Sequence, residues 1–199
     1  AALDRGLMTQ RVNWVLDVDV RSFFDSVDHE WLLRMVAHRI ADRRVLRLIE
    51  RWLEAGILES GRWQATETGT PQGSGISPLL ANIYLHPLDE RLAAGGWRMV
   101  RYADDFVVLC RSREEAEAAL AEIRQWVADN GLRLHPDKTH LGDCRRPGEG
   151  FEFLGYRFEA GYRFVRKKSL SRLKDGIRAR TKRTRGQSLA RIVADLNPM

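Results

Sequence analysis

Cysteine is nearly absent from this chain. Cys110 and Cys144 are too few and too far apart for a disulfide framework or a metal knuckle, and Cys110 reads as a small core residue. His135 and His140 have no third partner at ligand spacing, so neither is read as a metal ligand. No uninterrupted apolar run approaches the length of a membrane span, and the N-terminus carries no signal-peptide pattern. Internal repeats and low-complexity segments are lacking too. With 44% hydrophobic residues in 199, the chain is expected to be a soluble cytoplasmic protein holding one domain, or one domain and part of another.

Acidic residues are outnumbered, 27 Asp and Glu against 33 Lys and Arg, which gives a formal net charge of +6. The excess is uneven. From Arg166 to Arg185 there are ten Lys and Arg, among them Arg166, Lys167, Lys168, Arg172 and Lys174, against Asp175 alone. A polyanion is the natural partner for such a run, because phosphate contacts release counterions. Leu170, Leu173 and Ile177 keep helical spacing within it. A solvated basic helix or a flexible tail is the alternative.

The most informative stretch is Tyr102-Ala103-Asp104-Asp105, two adjacent carboxylates between the apolar runs Met99–Tyr102 and Phe106–Cys110. Both runs have the β-branched and aromatic bias of strands, so the acids fall in a tight connection. An Asp-Asp turn is common in its own right. A third carboxylate points further. In Val12–Val20 apolar and polar residues alternate, so Asp17 and Asp19 share a strand face roughly 7 Å apart. An Asp inside an apolar strand is unfavourable unless paired or metal-bound. If this strand lies beside the Asp104 hairpin, Asp19 joins Asp104 around shared ions, an arrangement suited to two-metal phosphoryl transfer with Mg²⁺. Asp19 is favoured over Asp17 because it lies nearer the strand end.

Helices are expected over His29–Ile40 with Asp28 as N-cap, over Arg43–Glu54, from Ser77 through Arg91, over Glu114–Asn130 and from Ser169 onward. Trp14 on the Val12–Val20 strand and Trp31, Trp52 and Trp126 on these helices fall on predicted core faces and read as packing. Short strands are expected near Ile57–Glu59, Trp63–Thr68, Leu132–Leu134, Lys138–Leu141, Phe151–Phe158 and Tyr162–Val165. Helices clustered on a mainly antiparallel sheet make an α+β fold.

Asp19-Val20-Arg21-Ser22-Phe23-Phe24-Asp25, Gly69-Thr70-Pro71-Gln72-Gly73, Ser77 to Leu85 and Tyr102-Ala103-Asp104-Asp105 resemble successive blocks of reverse transcriptases, those of bacterial group II introns above all. Leu134 to Thr139 and Phe153-Leu154-Gly155-Tyr156 resemble two later blocks. Each block is weak alone; six in order, from about Asn13 to Phe164, are specific. The resemblance implies a polymerase palm with partial fingers over 1–165 and the start of a helical thumb or maturase region over 166–199. It also implies that the chain is a fragment of a larger intron-encoded protein.

Residue by residue, the resemblance implies Asp19 and Asp104 as main ligands of two Mg²⁺ ions, for which Mn²⁺ can substitute. Asp105 supports them and Val20 offers its backbone carbonyl. Phe23 or Phe24 excludes a ribose 2′-hydroxyl, with Phe23 the first choice and an ordinary core role the alternative. Gln72 and Gly73 lie beside the incoming deoxynucleotide. Lys138 approaches the departing pyrophosphate, or is a plain surface lysine. Gly155 and Tyr156 belong to a primer-gripping hairpin, or to an ordinary one. The partners implied are an RNA template, a DNA primer, dNTPs and intron RNA. An RNA-binding maturase module that assists splicing is a different reading of the same chain, and retron, CRISPR-associated or phage-defence biology is a third.

Overall fold

Leu16, Val18 and Val20 alternate with Asp17 and Asp19, and this period of two gives β1 (Trp14–Asp19) one apolar face. The computed structural model describes residues 12–59, 62–64, 68–70, 75–182, 184 and 186–197. Two compact units divide at Cys144 and Arg145. In the first, β1 is a central strand of a four-stranded antiparallel sheet ordered β4-β5-β1-β6, with β4 Arg98–Tyr102, β5 Asp105–Cys110 and β6 His140–Asp143. The register sets Leu16 opposite Val108 and Val18 opposite Phe106. All four are fully buried and belong to the main core.

Following β1 come a single helical turn, α1 (Phe23–Ser26), and then α2 (His29–Ala37) and α3 (Arg43–Glu54). Asp28 and Asp42 accept from Trp31 N and Arg44 N, satisfying orphan donors at the two helix starts. A small hairpin pairs β2 (Ile57–Glu59) with β3 (Arg62–Gln64). The long α4 (Ser77–Ala94) buries Leu80, Ala81, Tyr84, Leu85, Leu88 and Leu92. α5 (Arg113–Asp129) turns Ala116, Leu120, Ile123 and Val127 inward, as the helical spacing predicts. Tyr84 donates from its hydroxyl to the Asn130 carbonyl at 3.2 Å, joining these two helices.

The second unit has a three-stranded antiparallel meander, β7 (Phe151–Phe153), β8 (Tyr156–Glu159) and β9 (Tyr162–Val165), then α6 (Lys167–Arg180) and α7 (Leu189–Leu196). Leu154 (φ +47°) and Gly155 (φ +81°) form the β7–β8 turn, both in the left-handed region that two-residue hairpins use. The Phe151 and Phe158 rings stack at 5.1 Å between centroids.

Some expectations are corrected. Trp31 and Trp52 are 43% and 44% exposed, because α2 and α3 bury Leu32, Val36, Ile49 and Leu53 instead, an i, i+4 face that leaves each indole one step round the helix. Leu132–Leu134 makes no strand of its own; Leu134 contributes an isolated bridge to Val20. Helix α2 stops at Ala37, short of Ile40. No helix among the described residues is long and apolar enough to cross a membrane.

Packing at Ile123 and at Trp31 is therefore unequal. Ile123→Ala is expected to lower unfolding free energy by about 2–5 kcal/mol in urea titrations, and Trp31→Ala by no more than about 0.5 kcal/mol.

Candidate functional site

The strand register sets Asp19 of β1 directly opposite Asp105 of β5. Cross-strand partners have Cβ atoms about 5 Å apart on one face, and like charges there repel. Tyr102 pairs with Asp105, so Ala103 and Asp104 make a two-residue turn at the end of the β4–β5 hairpin. Ala103 takes φ +55°. Asp104 thus joins Asp19 and Asp105 at one edge of the sheet, as the acidic pattern predicts.

Burial pushes the Asp104 carboxyl above the usual carboxylate range, and Asp19 adds to the effect while Lys138 opposes it. Burial also raises Asp105, followed by the charges of Asp104 and Asp19, again with Lys138 opposing. Lys138 is brought in by the backbone. His135 N donates to Asp19 O at 2.8 Å, Arg21 N donates to Arg133 O at 2.8 Å, and a turn closed by Thr139 N to His135 O follows. The Lys138 ammonium then reaches Asp19 Oδ2 at 3.0 Å. Both groups keep solvent access, so the pair is worth no more than about 1 kcal/mol. Because Asp19 and Arg21 make the bonds to 133–135, the Val20 carbonyl is directed to the other side of the strand.

Two signals were missed in the sequence. Lys138 pairs with an acid far away in the chain, which no local pattern reveals. Arg101 links the acidic turn to α4 by bonds to Asp89, Asn82 and the Ala103 carbonyl. An Asn and an Asp two helical turns apart, facing an Arg shortly before the paired acids, is the pattern that could have marked it.

The donor chemistry fits a hard divalent cation: oxygen ligands only, a local excess of negative charge, and a solvent-accessible ammonium as present counterion. Among the described residues no three His, Cys, Asp or Glu side chains are drawn together closely enough to cage an ion as they stand. Asp19 nevertheless stands opposite Asp105 with Asp104 in the adjoining turn, and Lys138 occupies an Asp19 oxygen.

Phe23 is 1% exposed and packs edge-to-face on Tyr84, its ring centroid 6.0 Å away. A ring so enclosed has no face left for a sugar, which corrects the preference for Phe23; Phe24 keeps partial exposure. The Phe24 carbonyl accepts from Thr70 N at 2.6 Å, and Val27 O accepts from Gly69 N at 2.7 Å. At Gly69 (φ +90°) a Cβ would lie 2.6 Å from the Phe24 carbonyl oxygen, so this close approach requires glycine. Gln72 and Gly73, expected beside a nucleotide, lie outside the described residues.

In the second unit, the Gly155 carbonyl accepts from Arg166 N at 2.9 Å, tying the hairpin turn to the start of α6. Tyr156 is exposed, with the Arg163 guanidinium 5.2 Å over its ring. Arg166 pairs with Glu152 at 2.5 Å. Lys167, Lys168, Arg172 and Lys174 are solvent-facing on α6 without an ion pair among the described residues.

Residues 4–158 match the family described as "Reverse transcriptase (RNA-dependent DNA polymerase)". Protein YkfC of Escherichia coli (strain K12) is 32% identical over 182 residues, covering 74% of this chain and 47% of that protein. The group II intron-encoded protein LtrA of Lactococcus lactis subsp. cremoris is 44% identical over 77 residues, 39% of this chain and 13% of that protein. Apo telomerase from Candida tropicalis, truncated from its C-terminal domain, has a similar fold with a TM-score of 0.62 at 13% identity, over 82% of this chain and 38% of that one. The chain spans less than half the length of each of these proteins.

Raised carboxyls carry a pH signature. The folded chain binds the Asp104 proton more tightly than the unfolded chain, so this group favours folding below its ordinary pKa of about 4 and loses that contribution as pH rises through the folded value. Asp104→Asn in metal-free buffer is therefore expected to raise Tm at pH 7 by about 2–4 °C. The difference from the parent should disappear as pH falls to about 3. Thermal melts across that range check both the sign and the pH window.

Proposed function

The chain belongs to the reverse transcriptase (RNA-dependent DNA polymerase) family, with that family's α+β palm and fingers fold, and from this membership we propose that it carries the polymerising site of a group II intron-type RNA-directed DNA polymerase. The reaction joins a primer 3′ oxygen to the α-phosphorus of a deoxynucleotide and releases pyrophosphate. One observation carries the reading: Asp19 stands opposite Asp105 with Asp104 in the adjoining turn.

Divalent ions, two Mg²⁺ in this proposal with Mn²⁺ as a substitute, supply charge neutralisation at the attacking and leaving oxygens when bound. Asp19 and Asp104 are the residues that would hold them, with Asp105 in support and the Val20 carbonyl as a further oxygen. Lys138, half-exposed on its pair with Asp19, is the ammonium available to the departing pyrophosphate. The partly exposed Phe24 takes the role of sugar gate, and Gln72 and Gly73 contribute to the nucleotide site. Gly155, Tyr156, Arg166, Lys167, Lys168, Arg172 and Lys174 contact template and primer through phosphate and base stacking. Acting in the cytoplasm on its own intron RNA is the setting this reading implies.

The solvent-facing cations of α6 also favour a second reading, an RNA-binding maturase module that assists splicing. Primer extension separates the two. In the complete protein, Asp104→Asn is expected to reduce extension with Mg²⁺ on the order of 10³-fold while RNA binding stays intact. Near-normal extension would remove the polymerase assignment. Phe24→Val is expected to weaken discrimination against ribonucleotides by about 10–200-fold, measured as the ratio of kcat/KM for dNTP and rNTP, with Phe23→Val instead reporting only on folding.

A further inference from the structure

Arg101 of β4 spends its fork of donors on three separate groups. Nε donates to Asp89 Oδ1 at 2.8 Å and Nη2 to Asp89 Oδ2, while Nη1 donates to Asn82 Oδ1 at 2.8 Å and to the Ala103 carbonyl at 2.9 Å. Only 11% of the side chain is exposed. Asn82 and Asp89 lie two turns apart on α4, so they share one face of that helix. The same helix is anchored by Leu80, Tyr84, Leu85 and Leu88 in the core. Arg101 therefore connects a rigid element to the peptide that leads into Asp104.

The turn needs such support. Ala103 at φ +55° costs about 1–2 kcal/mol for a residue with a Cβ. The neighbouring acids add like-charge repulsion at the turn, which Lys138 opposes. The Arg101 charge is matched by Asp89, so its influence on Asp104 runs through the Ala103 carbonyl as geometry.

We propose that Arg101 is a positioning residue: clamped on Asp89 and Asn82, it fixes the Ala103–Asp104 peptide and so keeps the Asp104 carboxylate beside Asp19 for a divalent cation. This inference rests on the reading of Asp104 as an ion ligand. A lysine at 101 keeps the charge opposite Asp89 but has no planar fork to serve all three partners at once.

The test is Mn²⁺ titration of this chain, followed by the electron paramagnetic resonance signal of free Mn²⁺, together with amide hydrogen exchange of 99–106 in metal-free buffer. Arg101→Lys is expected to bind Mn²⁺ about 10–100-fold more weakly and to exchange faster at Asp104 and Asp105. Parent-like affinity and exchange in Arg101→Lys would overturn the inference while leaving the ion reading intact. Asp104→Asn is expected to bind no Mn²⁺ at the site; parent-like binding there would sink the ion reading itself. If Arg101→Lys does not fold, the exposed Asn82→Ala replaces it: a smaller loss of affinity supports the clamp, and unchanged affinity refutes it.

Discussion

Two aspartates face each other across adjacent strands, and much of the surrounding structure is arranged around their repulsion. The core enforces that encounter. Val18 opposite Phe106 and Leu16 opposite Val108 are buried without remainder, and a slip of one residue would turn the apolar set of β1 to the wrong face. Asp19 and Asp105 cannot escape one another without dismantling the sheet. Burial first, and the charges of the neighbouring acids after it, raise the carboxyl affinity for protons at Asp104 and Asp105. Lys138 offsets part of it, yet remains half in solvent and so is easily displaced. A corner short of positive charge, with its one ammonium open to solvent, is what the proposed ion site requires.

The segments that serve this corner come from distant parts of the chain. The 133–135 stretch extends the β1 edge by one bridge and delivers Lys138. Gly69 and Thr70 close on the backbone of Val27 and Phe24. Ser22, at φ +46°, bends the chain out of β1 into the turn of helix that sends Phe23 inward and leaves Phe24 half-buried at the core's edge. Each device is a backbone contact, so the side chains it carries are free to act chemically.

What the sequence made legible follows from period. Alternation in Val12–Val20 and the i, i+4 spacing of 116–127 are local signals, and both elements form with the expected faces. The acidic constellation was legible for the same reason: a turn at Ala103–Asp104 and a strand at Asp19 fix their faces before any packing is known. Long-range pairing was not legible. Nothing near Lys138 signals Asp19, and only the two-turn spacing of Asn82 and Asp89 hints at a partner for Arg101. Trp31 and Trp52 misled because aromatic bulk on an amphipathic helix suggests burial, whereas leucine, isoleucine and valine one step away fill the available space. Phe23 and Phe24 differ only in which side of a single helical turn they occupy, a distinction that a pattern of two adjacent rings does not contain.

Asp17 shows why position along β1, rather than residue type, decides the chemistry. It shares a face with Asp19, but sits opposite Val107, a fully buried residue, with His140 3.9 Å away and a side chain only 15% exposed. Its surroundings are those of an acid held within the sheet. One pleat further, the sheet ends and Asp19 meets a turn, an ammonium and solvent. The three acids at that end also differ in stiffness. Asp19 and Asp105 ride on strands whose neighbours are packed solid, so their positions follow from the core. Asp104 rides on a two-residue turn with an unfavourable backbone at Ala103, and its position depends on contacts made from outside the turn. Accuracy in such a cluster is limited by its least constrained member, which places the burden of geometry on the turn and on the α4 residues that reach it through Arg101.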